Sequence, residues 1–319
     1  MPAARQKRAI RSEEYVRING IEQYLFHSGA DHGNPVMLFL HGGPGAAASV
    51  VSHVFQDKWE EIYTVVHWDQ RGAGKTLVRN PDKRASPELL LQDLLEIVQY
   101  LKTKYGKPKV VVLGHSWGTV LGTLFVQRHP EEVAYYIGVG QVVNKLENER
   151  IGYAKVRERI VEANDQKSLK LLESVGEYPG DRLDDDWLSK SLKIRELQSR
   201  YHLTSKSASA AFRGMLRSPI FRLSDISAMF RGATANKDLM RVLADFDLRT
   251  AEYAMPVYYV VGDNDWQTPC QTIQKYHERV VAPRTGFYVV PEAGHMAMID
   301  QPERFARILA DIHNACRDD

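Results

Sequence analysis

Gly114-His-Ser-Trp-Gly118 places one serine between two glycines, at the point where a strand-like run gives way to a helical one. The run before it, Lys109 to Leu113, is short and mostly apolar, and Thr119 to Arg128 after it has helical character. A serine on a sharp strand-to-helix turn has a strained backbone, and flanking glycines let neighbouring chain pass without a side-chain clash. The stretch therefore predicts a nucleophilic serine at position 116, at the end of a buried strand.

Strands and helices alternate on the N-terminal side of this serine. The apolar run Val36 to Leu40 ends in His41-Gly-Gly-Pro-Gly45, and Tyr63 to Trp68 ends in Asp69-Gln-Arg-Gly72. Ser86 to Lys104 has helical periodicity, with its leucines on one side. This alternation predicts an α/β fold, with a mostly parallel sheet and helices on both of its faces.

The middle of the chain has a different character. After a strand from Tyr135 to Gly140, residues 142–252 are rich in charge and in helix formers, and they contain no strand-like apolar run. Two later strands and a closing helix are predicted at Pro256–Val261, Gly286–Val290 and Gln301–Ala315. We therefore predict a core made of residues 1–141 and 253–319, with a helical cap inserted at 142–252.

The charge balance gives no indication of a nucleic acid or an anionic membrane as partner. The 319 residues include 42 Lys+Arg and 40 Asp+Glu, so the formal net charge is +2. The basic residues near the start, Arg5, Lys7, Arg8 and Arg11, are expected to be a solvated tail. No apolar run is long enough to cross a bilayer, and no apolar segment follows the N-terminal basic residues as in a secretory signal.

Cysteine usage indicates a reducing, cytoplasmic setting. The chain has two cysteines, Cys270 and Cys316, which cannot form a disulfide framework. No residue spacing is typical of a metal site. We expect no cofactor, because side chains and backbone can supply every group that acyl transfer to a serine needs. The sequence carries no signal for an oligomeric state.

The glycine-rich loop His41 to Gly45, which follows the run Val36 to Leu40, predicts a binding site for a negatively charged oxygen. Acyl transfer passes through a tetrahedral intermediate whose oxyanion needs two N–H donors. One donor is expected from the backbone of Trp117, directly after the serine. The other is expected from Gly42 or Gly43, and we favour Gly43.

An acid and a base are predicted on loops that follow later strands. Gly262-Asp-Asn-Asp265 follows the strand that ends at Val261, and His295 follows the strand that ends at Val290. We assign His295 as the general base and Asp265 as the residue that orients it, with Asp263 as the competing acid. The acid and base then follow Ser116 in chain order and lie on the same rim of the sheet.

Several motifs together resemble one known family, the proline iminopeptidases. These are α/β-hydrolases with a helical cap that remove an N-terminal residue, often proline. The resemblance covers roughly residues 15–141 and 253–315. The motifs that carry it are His41-Gly-Gly-Pro-Gly45, Asp69-Gln-Arg-Gly-Ala-Gly74, Gly114-His-Ser-Trp-Gly118, Gly262-x-x-Asp265 and Gly294-His295.

The resemblance implies roles for matching residues, and it has departures. Gly43 and Trp117 would be the oxyanion donors, and Asp69-Gln-Arg-Gly72 would support the oxyanion loop. The departures are His115 where the family usually has Gly, Thr76 where it usually has Ser, and Trp266 where some members carry a Glu that holds the substrate's free amine.

The sequence is compatible with three functions. The first is hydrolysis of an amide or ester through an acyl-enzyme at Ser116, on a small molecule or short peptide with a free terminal amine. The second is a carboxylesterase or similar acyl hydrolase without amine recognition. The third is a non-catalytic binding module, against which the complete constellation argues. Epoxide hydrolases and haloalkane dehalogenases use a carboxylate nucleophile, and Ser116 argues against both.

An aminopeptidase needs an acidic group for the ammonium of its substrate, because a buried ammonium without a partner is costly. Glu149, just after the junction of strand and cap, is the candidate for this substrate contact. The alternative is that Glu149 is a solvated charge in the polar run Lys145 to Arg150.

Overall fold

The computed structural model describes residues 9–184, 186–205 and 208–317. Arg5, Lys7 and Arg8 of the predicted basic tail lie outside the described residues, and Arg11 lies in the first strand. The strands are β1 Ile10–Ile18, β2 Ile21–Gly29, β3 Val36–Leu40, β4 Thr64–Asp69, β5 Val110–His115, β6 Val133–Val139, β7 Val257–Gly262 and β8 Thr285–Val290.

Helices follow most of these strands, and a short 3-10 helix, Ser49–Val54, follows β3. The α-helices are α1 Gly74–Arg79, α2 Pro87–Tyr105, α3 Trp117–Arg128, α4 Lys145–Glu162, α5 Gln166–Glu173, α6 Trp187–Arg200, α7 Ala208–Arg217, α8 Leu223–Ala235, α9 Lys237–Ala244, α10 Cys270–His277, α11 Ala297–Asp300 and α12 Pro302–Ala315. Within the described ranges no helix has the length and apolar character needed to cross a membrane.

The eight strands form one sheet in the order β1-β2-β4-β3-β5-β6-β7-β8. Strand β2 pairs antiparallel with both β1 and β4, and the pairs from β4 to β8 are parallel. Leu40 at the end of β3 lies opposite Trp68 of β4 and Gly114 of β5, so these three strands end at one rim. The predicted α/β class, mostly parallel with helices on both faces, is confirmed.

The central strands are buried on both faces, as expected where helices cover a parallel sheet on either side. On β3, Leu38 and Leu40 belong to a cluster with helices α2 and α3, whereas Met37 and Phe39 belong to a cluster with α12. Helix α2 begins at the capping residue Ser86, whose side chain accepts the N–H of Leu89, and the chain leaves it at Gly106 in the left-handed region. These packed faces fix the rim where the loops of the site begin.

The predicted strands and the closing helix are present, but the N-terminal hairpin of β1 and β2 was not predicted. Its two strands are joined by Asn19 and Gly20, both with positive φ. An Asn-Gly pair between two extended runs favours a tight hairpin turn. The hairpin adds two antiparallel strands at the edge of an otherwise parallel sheet.

Helices α4 to α9 lie between β6 and β7, which agrees with the helical character predicted for this segment. They contact the rim directly. The side-chain amide of Gln198 on α6 donates to the carbonyl of Trp266 at 2.9 Å, and the backbone of Gly232 on α8 lies against that of Gly45. The division of the chain into a separate core and cap domain stays a prediction.

Candidate active site

Ser116 stands on a sharp turn between β5 and α3, with φ 53° and ψ −119°. Both flanking glycines are required by close packing. A Cβ on Gly114 would lie 2.5 Å from the carbonyl oxygen of Gly118, and one on Gly118 would lie 2.0 Å from that of Leu40. A non-glycine residue with positive φ persists only where its surroundings enforce it. The turn therefore holds Ser116 in a strained backbone conformation above the central strand.

The loop after β3 is fixed by His41. Its Nδ1–H donates to the carbonyl of Gly42 at 2.9 Å, and its Nε2 accepts the backbone N–H of Gln70 at 3.1 Å. Burial lowers the pKa of His41 to about 4, so this ring is neutral at pH 7. Because the C=O and N–H of a trans peptide point in opposite directions, the N–H of Gly43 points away from His41.

Trp117, the other predicted donor, is the first residue of α3. The first N–H groups of a helix have no partner within the helix, and the helix dipole favours a negative charge at this end. Gly42 lies directly against Ser116, because a Cβ on Gly42 would come within 3.2 Å of the serine Cβ. The loop and the start of α3 thus flank Ser116 on two sides.

His295 and Asp265 meet in a buried hydrogen bond, with 2.8 Å between His295 Nδ1 and Asp265 Oδ2. Burial by itself would raise the pKa of Asp265, but the charge of His295 and hydrogen bonds from His295 and Thr268 lower it below its usual value. The carboxylate is therefore ionised at neutral pH. It can hold the imidazole in the tautomer with a proton on Nδ1 and stabilise an imidazolium.

Two residues that shape this pair were missed by the sequence analysis. Thr268 donates its N–H to Asp265 Oδ1 at 2.9 Å and its hydroxyl to Oδ2 at 2.6 Å. Gly140, with φ 55°, leaves room for the pair, because a Cβ there would lie 3.3 Å from both Asp265 Oδ2 and His295 Cε1. The signal for Thr268 was present, since Ser/Thr near an Asp in a turn often bond locally to backbone and carboxylate.

Ser116 and His295 line the same cavity, of about 330 Å³. Gly42, Gly43 and His115 lie on its walls beside them. The remaining lining is mostly apolar and includes Phe39, Val51, Phe55, Met296 and Met298. A serine on a strained turn, a histidine paired with an aspartate and a glycine-rich loop thus converge on one pocket.

A family model described as "alpha/beta hydrolase fold" matches residues 35–302. The chain belongs to the alpha/beta hydrolase fold family. The hydrolase is 27% identical over 313 residues to a protein of Bacillus subtilis (strain 168) named "Probable aminopeptidase YbaC", covering 96% of this chain and 97% of that protein. The similarity extends beyond the strand-bearing segments into the cap segment.

Solved structures support the same fold. The structure of proline iminopeptidase from Mycobacterium smegmatis superposes with a TM-score of 0.68 at 21% identity, covering 96% of this chain and 98% of that one. A thermophilic esterase from Thermogutta terrifontis superposes with a TM-score of 0.61 at 18% identity, covering 97% and 99%. The resemblance to proline iminopeptidases is confirmed as a similarity. A protein described as an esterase has the same fold, so the fold alone does not identify the substrate.

The competing acid of this hydrolase, Asp263, has a different environment. It is exposed, and its Oδ1 accepts the backbone N–H of Ala293 at 3.2 Å. The structure therefore brings Asp265, and not Asp263, against His295. Asp263 instead fastens the loop that carries the histidine to the end of β7.

His115 stands where proline iminopeptidases usually have glycine. Its side chain supports the loop that carries His295. Its Nε2–H donates to the carbonyl of His295 at 2.9 Å, and the two rings lie 4.9 Å apart. Burial is the largest cause, and the nearby His295 the next, of a fall in the pKa of His115 to about 3. The ring is therefore neutral, and its Nδ1 is an acceptor. His115 thus takes part in positioning His295 and also faces the cavity.

Gln70 joins the loop after β3 to the turn that carries Ser116. Its side-chain amide donates to the carbonyl of His41 at 3.1 Å, and its Oε1 accepts the indole N–H of Trp117 at 3.1 Å. The supporting role that the resemblance implied for Asp69-Gln-Arg-Gly72 has this physical basis. Thr76 keeps the hydroxyl of the usual serine and donates it to the carbonyl of Asp69 at 2.5 Å.

Glu149 is fully buried in the hydrolase, so the alternative of a solvated charge is wrong. Its carboxylate accepts from Lys145 and Arg195, and from the hydroxyl of Tyr178 at 2.7 Å. It is absent from the described lining of the Ser116 cavity. Contact between Glu149 and a substrate stays a prediction, and these three partners already occupy its oxygens.

Glu149→Gln is expected to destabilise the fold by about 3–5 kcal/mol, because two cations would lose the carboxylate between them. Burial would raise the pKa of Glu149, but Arg195 and Lys145 lower it to about 2. The stabilisation is therefore complete above the unfolded value of ~4.3 and is lost as pH falls towards 2. Denaturant unfolding at pH 7 and pH 3 measures both effects.

The matched control is Glu147→Gln, an exposed position in the first turn of the same helix. This surface change should alter the free energy of unfolding by less than about 0.5 kcal/mol. Equal stability of the two variants at pH 7 would show that the buried charge cluster contributes nothing.

Proposed function

We propose that this hydrolase cleaves an amide or ester bond through an acyl-enzyme formed on Ser116. The observation that carries the proposal is the shared cavity: the strained Ser116 and the Asp265-paired His295 face the same 330 Å³ space. A serine needs an adjacent base to become a nucleophile, and the base needs an orienting group. The roles assigned from sequence, Ser116, His295 and Asp265, fit this arrangement.

In the proposed reaction, Nε2 of His295 removes the proton of the Ser116 hydroxyl as its oxygen attacks the substrate carbonyl carbon. The N–H groups of Gly43 and Trp117 stabilise the resulting oxyanion. Collapse of the intermediate breaks the bond to the leaving group, which takes the proton from His295. A water, activated by the same histidine, then releases the acyl group and regenerates the serine.

For the substrate, we propose a small amine-bearing molecule or short peptide, so that the enzyme is an aminopeptidase or amidase of the proline iminopeptidase type. Support comes from the similarity over 96% of the chain to a protein named as a probable aminopeptidase. The apolar wall of the cavity, with Phe55, Met296 and Met298, suits an apolar acyl or leaving group.

Esterase activity without amine recognition is the second candidate, and one observation favours it. None of the described residues that line the Ser116 cavity is Asp or Glu. Trp266 stands at the position where some proline iminopeptidases carry an acid. The ammonium of Lys155 lies 5.1 Å from the centroid of the Trp266 ring. Lys155 is itself paired with Glu158, and Trp266 offers no acidic group for a substrate ammonium.

The two candidates are separated by kinetics on three matched substrates: an aminoacyl arylamide, its N-acetylated form, and the corresponding aryl ester. A charge-assisted contact is worth about 1.5–3 kcal/mol, so acetylation should lower kcat/KM at least tenfold if the amine is recognised. Equal kcat/KM for the free and acetylated amines would favour the esterase. Failure of a fluorophosphonate probe to label Ser116 would point instead to a binding module.

A further inference from the structure

One ring nitrogen of His115, Nδ1, has no hydrogen-bond partner in the described part of the chain. The other, Nε2, lies 2.9 Å from the carbonyl oxygen of His295, which can only accept, so Nε2 must carry the ring proton. Because the pKa of His115 is lowered to about 3, chiefly by burial, the ring takes no second proton at neutral pH. Nδ1 is therefore fixed as an acceptor, and the mechanism proposed above does not use it.

Nδ1 of His115 is open to the Ser116 cavity. His115 lines that cavity together with Ser116 and Gly42. The side chain is buried, but Nδ1 is not one of the fully enclosed, unpartnered side-chain atoms of the described residues, so it keeps accessible surface. A Cβ on Gly42 would lie 3.1 Å from Nδ1 and 3.2 Å from the Cβ of Ser116. The acceptor thus lies beside the serine, where a substrate in the cavity reaches it.

His115 also lies beside both residues that act on the scissile bond in the proposed reaction. Ser116 follows it in the chain, and the rings of His115 and His295 have their centroids 4.9 Å apart. The atom that leaves the carbonyl must be within reach of the serine oxygen and of the histidine that protonates it. The acceptor and the leaving-group atom therefore share one corner of the cavity.

An amide and an ester differ at this leaving-group atom. The leaving nitrogen of a secondary amide carries an N–H, whereas the leaving oxygen of an ester carries no hydrogen. As the serine attacks, the nitrogen loses its conjugation with the carbonyl and turns its lone pair towards the base that protonates it, so its N–H turns away from that base. In an enclosed, mostly apolar cavity, an N–H without an acceptor is costly.

We propose that Nδ1 of His115 accepts the N–H of the scissile amide and thereby favours amide cleavage over ester cleavage. The inference rests on the proposed function, because it concerns the bond that is broken through Ser116. No covalent bond to His115 is made or broken. Nδ1 holds the N–H hydrogen while the proton from His295 adds to the lone pair of the same nitrogen, and the amine then leaves.

Two substitutions separate the roles of the two ring nitrogens of His115. In His115→Gln the side-chain amide reaches the position of Nε2 and donates to the carbonyl of His295, but no acceptor occupies the position of Nδ1. In His115→Asn the amide oxygen takes the position of Nδ1, and the contact with the carbonyl of His295 is lost. The first variant removes the proposed substrate contact, and the second removes only the support of the histidine loop.

The test measures kcat/KM on L-proline para-nitroanilide and on the para-nitrophenyl ester of the same amino acid. His115→Gln should lower the ratio of the anilide value to the ester value roughly 5–100-fold, because the N–H loses its acceptor in the transition state. His115→Asn should keep this ratio within about twofold of the wild type while lowering both values, because weaker positioning of His295 affects both substrates. Equal losses on the two substrates in His115→Gln would overturn the proposal.

Methylation of the scissile nitrogen gives a second readout, because it removes the N–H from the substrate. The loss of kcat/KM on going from the para-nitroanilide to its N-methyl form should be at least roughly fivefold larger in the wild type than in His115→Gln. An equal loss in both proteins would contradict the contact. Each readout is a ratio measured within one protein, so a lower folded fraction of a variant cancels.

Failure of this inference is distinguishable from failure of the proposed function. If a fluorophosphonate labels Ser116 and the wild type hydrolyses the ester but not the anilide, the serine mechanism stands and the inference is overturned. If Ser116 is not labelled and neither substrate is hydrolysed, the serine mechanism falls, and the inference falls with it.

Discussion

Ser116→Ala is expected to lower kcat/KM by roughly 10⁴–10⁶-fold while leaving the fold intact. In the proposed reaction the hydroxyl oxygen forms the acyl-enzyme, and no nearby group replaces it. The backbone of Ser116 is held by its N–H to the carbonyl of Val139 at 3.0 Å and by packing of the flanking glycines, which an alanine would keep. Kinetics on the preferred substrate, with thermal unfolding alongside, measure both parts.

The control for this variant is Ser174→Ala, a serine at the exposed end of α5 whose hydroxyl donates to the carbonyl of Leu171 in its own helix turn. It should retain kcat/KM within about twofold, as expected for a surface change. Turnover of the Ser116 variant within tenfold of the wild type would remove the serine from the mechanism.

Asp265→Asn is expected to cost about 10⁴-fold in kcat, by analogy with other triads. The reason lies in the hydrogen bonds of the carboxylate. Oδ1 of Asp265 accepts the N–H groups of Gln267 and Thr268, both at 2.9 Å, so an asparagine would place its oxygen there and turn its amide donor towards His295 Nδ1. The ring would then carry its proton on Nε2 and could not accept one from the serine.

Asp263→Asn is the matched control, two residues earlier in the same turn. Because Asp263 is exposed and accepts one backbone N–H, an asparagine oxygen can replace its carboxylate, and kcat should stay within about tenfold of the wild type. If the Asp263 variant lost more activity than the Asp265 variant, the assignment of the acid would be wrong by two positions.

Much of the candidate site could be predicted because it lies at strand ends. Ser116, Asp265 and His295 each follow a short apolar run, and in a parallel sheet such positions meet at one rim. The N-terminal hairpin carries a strong turn signal in Asn19-Gly20, but its two strands are more polar than the apolar runs that mark the parallel strands.

What could not be predicted depends on contacts between distant parts of the chain. Glu149 sits in a polar run that is typical of an exposed face, and its burial follows from Tyr178 and Arg195, which are 29 and 46 residues away. The buried ion pair between Lys75 and Asp225, which lies 150 residues later, has the same origin. Spacing along a single sequence carries no record of such pairings.

The backbone contact between Gly45 and Gly232 limits how this enzyme can be re-engineered. A Cβ on Gly232 would lie 2.4 Å from the carbonyl oxygen of Gly45, and one on Gly45 would lie 2.7 Å from the carbonyl group of Gly232. No side chain separates α8 from the loop, so a transplanted cap helix needs glycine at this position to dock. A chimera that brings alanine there would push α8 and the loop apart. We expect this to move Gly43 away from Ser116 and to lower the rate of the proposed reaction, whatever substrate the new cap could admit.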